Sequence, residues 1–140
     1  MEIKVSEAMT YGVEAISPET TLEHAAKKMR TRNVGILPVV DDEKILGVVT
    51  DRDIVLRAVS ERLRPEMTRV RDVMTQKAIC CYEDENLLAA SLLLEKNLIH
   101  RLIVLDRKEK LVGIVSLSDL ATKSHSEGLS GHVLAKVAAA

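Results

Sequence analysis

The chain has 140 residues and a mass of 15.5 kDa, room for one domain or two very small ones. It is 46% apolar, yet its only aromatic residues are Tyr11 and Tyr82, so its core must be aliphatic, and the stacking surfaces that grip single-stranded nucleic acid are disfavoured. Twenty Lys and Arg against 21 Asp and Glu leave a net charge of -1, which disfavours a broad cationic face for duplex DNA or anionic lipid. No run of about 18 apolar residues is present to span a membrane. The start, Met1 to Glu7, lacks the basic-then-apolar order of a signal peptide, so a cytoplasmic protein is expected.

In chain order, Val5-Ser6-Glu7-Ala8-Met9-Thr10 leads to a short extended segment, Val13 to Ile16. Leu22, Ala25, Ala26 and Met29 then recur at helical spacing, with Thr20 and Glu23 placed for a capping box. Two strand-like runs follow, Ile36 to Val40 and Ile45 to Thr50, around the turn-rich Asp41-Asp42-Glu43-Lys44. A second helix starts near Asp51. The order then repeats: Val70-Arg71-Asp72-Val73-Met74-Thr75 matches the opening segment at an offset of 65. Ala78 to Tyr82 is extended, Leu87, Ala90, Ser91 and Leu94 hold a helical face, and Leu102 to Leu105 and Leu111 to Ser116 are strands. A last helix starts near Leu117. Such short, apolar strands need cover on both faces, and one copy alone has too little core. Two copies packed about a pseudo-twofold axis solve this and create two equivalent clefts between them, with leftover apolar surface favouring a homodimer.

The most informative residues close each copy's last strand. Gly47-Val48-Val49-Thr50-Asp51-Arg52-Asp53 and Gly113-Ile114-Val115-Ser116-Leu117-Ser118-Asp119 both set a hydroxyl at the strand end and an acid three residues later. That spacing caps a helix. It also suits a polar ligand, since a carboxylate can accept from two ribose hydroxyls and a hydroxyl can donate to phosphate. His100-Arg101 leads into a buried strand of the second copy, and Arg101 can clamp a phosphate bidentately. A satisfied histidine and a solvated arginine are the plainer readings. The first copy has Gly35-Ile36 at those places, an apolar wall without a phosphate clamp, and Pro38 suits a strand start or edge. The adjacent Cys80 and Cys81 point to opposite faces of a strand, a poor disulfide or metal pair, and read as small hydrophobes. Cys81 with His100 is the one thiol–imidazole pair on offer, and both lie at apolar strand positions, so catalysis is not expected.

These motifs, twice and in order, resemble a tandem pair of CBS domains over about residues 3 to 122. The run from His100 through Leu120 is similar to repeats of the gamma subunit of AMP-activated protein kinase. The resemblance implies an α/β (α+β) fold of two strand-helix-strand-strand-helix repeats, over residues 1–64 and 65–122, with a tail over 123–140. It implies a non-enzymatic regulatory module binding an adenosine-containing ligand (AMP, ADP, ATP or S-adenosylmethionine) in the cleft between repeats, with no catalytic cofactor and no metal. By motif position Asp53 and Asp119 would contact ribose, Thr50 and Ser116 the phosphate side, and His100 and Arg101 phosphate. Ile16, Cys81 and Tyr82, with Leu37, Pro38, Leu102 and Ile103, would line the base walls. A homodimer and an effector protein are the implied partners. The rival reading is a ligand-independent structural or protein-interaction dimer module.

Overall fold

The computed structural model describes residues 2–123, so the tail expected beyond Lys123 lies outside the described residues. In chain order the elements are α1 (Val5–Ala8), β1 (Thr10–Tyr11), α2 (Leu22–Arg32), β2 (Ile36–Asp41), β3 (Lys44–Thr50) and α3 (Asp51–Ile54). The last continues as a wider π-helical stretch over Val55–Val59. A 3-10 turn at Val70–Asp72 follows, then β4 (Thr75–Gln76), β5 (Cys80–Tyr82), α4 (Leu87–Asn97), β6 (Arg101–Leu105), β7 (Leu111–Ser116) and α5 (Leu117–Lys123).

These elements form two compact units. One comprises Glu14–Ala78; the other comprises residues 2–13 with the described residues from Ile79 onward. In the first unit β2 and β3 pair antiparallel and β3 pairs with β4. On the outer side of β2, Ile16 bridges to Val39 in parallel. In the second unit the strand order is β1-β7-β6-β5, with β5 parallel to β6. The two sheets therefore follow one plan, with Ile16 standing where β5 stands.

The cores match position by position. Ile16, Leu22, Ala25, Met29, Leu37, Val39 and Val49 are buried together in one unit; Cys81, Leu87, Ala90, Leu94, Leu102, Val104 and Val115 are their counterparts in the other. The opening segments are exchanged between copies. Val70, Val73 and Met74 complete the core of Glu14–Ala78, while Val5, Ala8 and Met9 complete the core built on α4, β6 and β7. Packing units and sequence repeats are thus cut at different places.

Two glycines allow this. A Cβ on Gly47 would lie 2.2 Å from the Thr75 carbonyl oxygen, and one on Gly113 would lie 2.5 Å from that of Thr10. The edge strands β4 and β1 approach so closely that no side chain fits at either place. Pro38 sits within β2 on its outer side, where its carbonyl accepts from the Ile16 N–H, so its missing donor removes nothing from the ladder with β3. The hairpin turn carries Asp42 and Glu43 at φ 54° and 66°, the left-handed pair that matches strand twist.

One expected cap is corrected. The cap of α2 is Thr21, whose hydroxyl accepts from the His24 N–H at 3.2 Å. Thr20 is held in the preceding loop, its carbonyl accepting from the Val70 N–H at 2.8 Å. The two-residue strands and α1 are also additions to the expected order.

The exchange generates a test with two fragments. Residues 14–78 carry a whole core and should give cooperative urea unfolding. Residues 1–64 lack Val70, Val73 and Met74, a loss of about 5 kcal/mol or more by large-to-small core precedent, and should show no cooperative transition by circular dichroism.

Candidate functional site

Both hydroxyl-acid motifs fold into the same reciprocal arrangement at a strand–helix corner. In one unit the Thr50 hydroxyl accepts from the Asp53 N–H at 3.0 Å, and the Asp53 carboxylate accepts from the Thr50 N–H at 3.0 Å. In the other the Ser116 hydroxyl accepts from the Asp119 N–H at 3.1 Å, and the Asp119 carboxylate from the Ser116 N–H at 2.8 Å. Each motif is a capping box that fixes its acid at the corner. The Thr50 hydroxyl still has its proton to donate; the Ser116 and Ser118 hydroxyls lie 3.0 Å apart and share a hydrogen bond in which either can be the donor.

The second unit gathers its predicted polar residues. Arg101 pairs directly with Ser116 across β6 and β7, which sets their side chains on one face of the sheet. The His100 carbonyl accepts from the Leu117 N–H at 2.8 Å, so His100 adjoins the first turn of α5. Both His100 and Arg101 are exposed. In the first unit Ile36 faces Thr50, and the Gly35 carbonyl accepts from the Asp51 N–H at 2.9 Å. Gly35 and Asp51 also line a shallow groove of about 450 Å³ with Ala26, Met29, Arg30 and Ile54.

The predicted wall residues are mostly core. Ile16 and Leu37 are buried in one unit, Cys81 and Leu102 in the other. Pro38 and Ile103 are buried as well, and Tyr82 is half-buried. Burial pushes the Cys81 thiol up to about 12, with Glu85 and Cys80 adding to it, so the group stays protonated across the neutral range and is no nucleophile. Tyr82 instead belongs to a polar cluster, its hydroxyl bonded to Glu109 and the Arg107 guanidinium 4.2 Å from its ring centre. The Glu109 carboxylate beside it raises the Tyr82 hydroxyl.

Three functional groups escape a motif reading. Thr75 donates its hydroxyl to both Asp53 carboxylate oxygens, at 3.0 and 3.2 Å. Arg57 lies 3.8 Å from the Asp53 carboxylate and donates to the Val73 and Met74 carbonyls at 3.0 Å. Lys123 repeats that role, 3.4 Å from Asp119 and donating to the Ala8 carbonyl at 2.8 Å. The matched acid-plus-four spacing of Asp53 with Arg57 and Asp119 with Lys123 was the available signal. Nothing local points to Thr75.

Residues 5–60 and 70–126 each match the CBS domain. The chain belongs to the CBS-domain family. The CBS domain-containing protein YhcV of Bacillus subtilis is 37% identical over 133 residues, 95% of this chain and 94% of that protein. The crystal structure of the CBS domain protein TA0289 from Thermoplasma acidophilum, of unknown function, superposes with a TM-score of 0.83 at 26% identity, over 97% of this chain and 76% of that one. CBSX2, solved in complex with AMP, gives a TM-score of 0.72 at 28% identity over 84% of this chain and 93% of its own. CBS repeats are regulatory modules, not catalysts, and this pair has their fold. Among the described residues no group of three or more His, Cys, Asp or Glu is placed to hold a metal, and no helix is long and apolar enough to cross a membrane.

The Thr75 hydroxyl that donates to Asp53 gives a test with an internal control. Thr75→Val should cost about 1.5–3 kcal/mol in urea unfolding, the worth of a hydrogen bond to a charged group. Thr10→Val, at the matching position of the other unit, should change stability by about 0.5 kcal/mol or less.

Proposed function

We propose that this CBS pair is a regulatory module that binds an adenosine-containing ligand at its strand–helix corners. The observation that carries the reading is the second corner, where Arg101 faces Ser116 and the Asp119 carboxylate is fixed beside them. A carboxylate held by one backbone N–H keeps lone pairs for ribose hydroxyls. Ser116 has a proton for a phosphate oxygen, and Arg101 supplies a cation in the fork geometry that phosphate accepts. His100 adds a donor, most fully when protonated. AMP, ADP, ATP and S-adenosylmethionine all carry the adenosine part. The AMP complex of CBSX2 supports the class of ligand. Bound ligand would stabilise the conformation that holds it, by linkage, and an effector protein would read the change.

A second reading, compatible with the first, is association through helical faces. Val55, Leu56 and Val59 on the continuation of α3 are more than half exposed, and Leu88 and Leu92 lie one turn apart and exposed on α4. Apolar side chains grouped this way on a helix mark contact surfaces, and a homodimer is the partner this reading assigns to them.

Calorimetric titration of the wild-type chain with AMP, ATP and S-adenosylmethionine should detect binding of at least one. Asp119→Ala should weaken that ligand by about tenfold to a hundredfold, the loss of a hydrogen bond to a charged group. The same change should lower stability by only about 1 kcal/mol, the scale of a lost cap interaction. A wild type that binds none of the three would reject the proposal.

A further inference from the structure

Resting on the adenosine-ligand reading above, we infer that the chain takes one phosphorylated adenosine ligand. It binds at the corner of His100, Arg101, Ser116 and Asp119, while the matching corner at Thr50 and Asp53 is closed by the chain's own Thr75 and Asp51.

The first observation is the state of the two acids. A carboxylate offers about four acceptor positions. Asp53 is 7% exposed and receives the Thr50 N–H, the Thr75 hydroxyl on both oxygens, and the Arg57 guanidinium at its edge. The Thr75 hydroxyl takes an acceptor position on Asp53 that a ribose hydroxyl would otherwise use. Asp119 receives the Ser116 N–H on Oδ2 and has Lys123 3.4 Å from Oδ1. Thr10 occupies the position of Thr75 in that unit, and among the described residues it makes no bond to Asp119.

The second observation is independent of the first and concerns charge. In the second copy His100, just before β6, and Arg101, its first residue, carry basic side chains, and the helix opens with the neutral Leu117. In the first copy those places hold Gly35 and Ile36, and the helix opens with Asp51. A Cβ built on Gly35 would lie 2.8 Å from the Asp51 Oδ2. The Asp51 carboxylate therefore fills the space into which a residue at position 35 would extend. A phosphate approaching there meets a like charge, which opposes its binding. Arg30 lines the same groove and offsets that charge without making the place net cationic. Two further cations are near: Arg57 is engaged by the Val73 and Met74 carbonyls, and the exposed Arg52 stands in the chain between Asp51 and Asp53, so the corner's two acids balance Arg30 and Arg52.

Calorimetric titration of the full chain with AMP tests the assignment, with adenosine as the phosphate-free comparison. Expected is about one equivalent of AMP per chain. Backbone amide NMR shifts should move at Ser116 to Asp119 and stay in place at Thr50 to Asp53. Arg101→Gln, at an exposed position, should weaken AMP about tenfold or more and change adenosine binding by less than about twofold. A thermal melt establishes that the variant is folded, and Arg101→Lys, which keeps the charge, should recover part of the affinity. Two equivalents per chain, amide shifts at Thr50 to Asp53 at the lowest AMP additions, or unchanged AMP affinity in folded Arg101→Gln would each overturn the inference while leaving the adenosine reading standing. No binding of AMP, ATP or S-adenosylmethionine by the wild type would overturn both.

Discussion

Everything in this fold depends on each core being completed by a segment from the other sequence copy. Three side chains, Val70, Val73 and Met74, fill one core, and Val5, Ala8 and Met9 fill the other. Burial of aliphatic side chains is worth about 1.5–3 kcal/mol each, a large share of the margin available to a unit of this size. The exchange then dictates details that look unrelated in the sequence. Gly47 and Gly113 are glycines because the edge strands β4 and β1 run against them too closely for a Cβ. Arg57 and Lys123 are cations because the carbonyls of the inserted segments, at Val73, Met74 and Ala8, need donors where those segments end.

The same helices that grip the inserted segments carry the acids of the candidate site. Asp53 and Arg57 lie one turn apart, as do Asp119 and Lys123. Cap, acid and gripping cation thus share one short stretch of backbone, and the acid serves two roles. It holds the N–H of its strand-end hydroxyl residue, and it helps orient the cation. For the proposed ligand, this fixed geometry preorganises the Asp119 carboxylate, because little side-chain freedom is left to lose when the ligand arrives.

Much of this was legible in the sequence. The order of strands and helices follows from aliphatic periodicity, and the hairpin strands and main helices fall where Leu22 to Met29, Ile36 to Thr50 and Leu87 to Leu94 place them. The short elements α1, β1 and β4 carry no period and were not visible. The exchange of opening segments was hidden for a deeper reason: a repeat aligns with itself in sequence whichever copy its side chains pack into. The α2 cap illustrates the limit of local pattern. Thr20 and Thr21 are both hydroxyls, and only the long-range bond from Val70 to the Thr20 carbonyl selects the second. In the site, Thr50 with Asp53 and Ser116 with Asp119 could be read directly, since their bonds span three residues. The hydroxyl that occupies Asp53 comes from Thr75, 22 residues away, and no spacing rule reaches it.

The divergence of the two corners also has a steric logic. Gly35 and Asp51 are locked as a pair: the Gly35 carbonyl accepts from the Asp51 N–H, and the Asp51 carboxylate takes the space beside the Gly35 Cα. A histidine placed at 35 alone would bring its Cβ to 2.8 Å from that carboxylate, so the exposed Asp51 side chain would have to turn away to admit it. The second copy has made both choices together, His100 with Leu117, around the same backbone bond. A duplicated frame held by matched cores therefore leaves its polar corners free to differ, and at positions 35 and 51 the two differences touch. The two corners differ at that pair while their caps, acids and gripping cations remain in register.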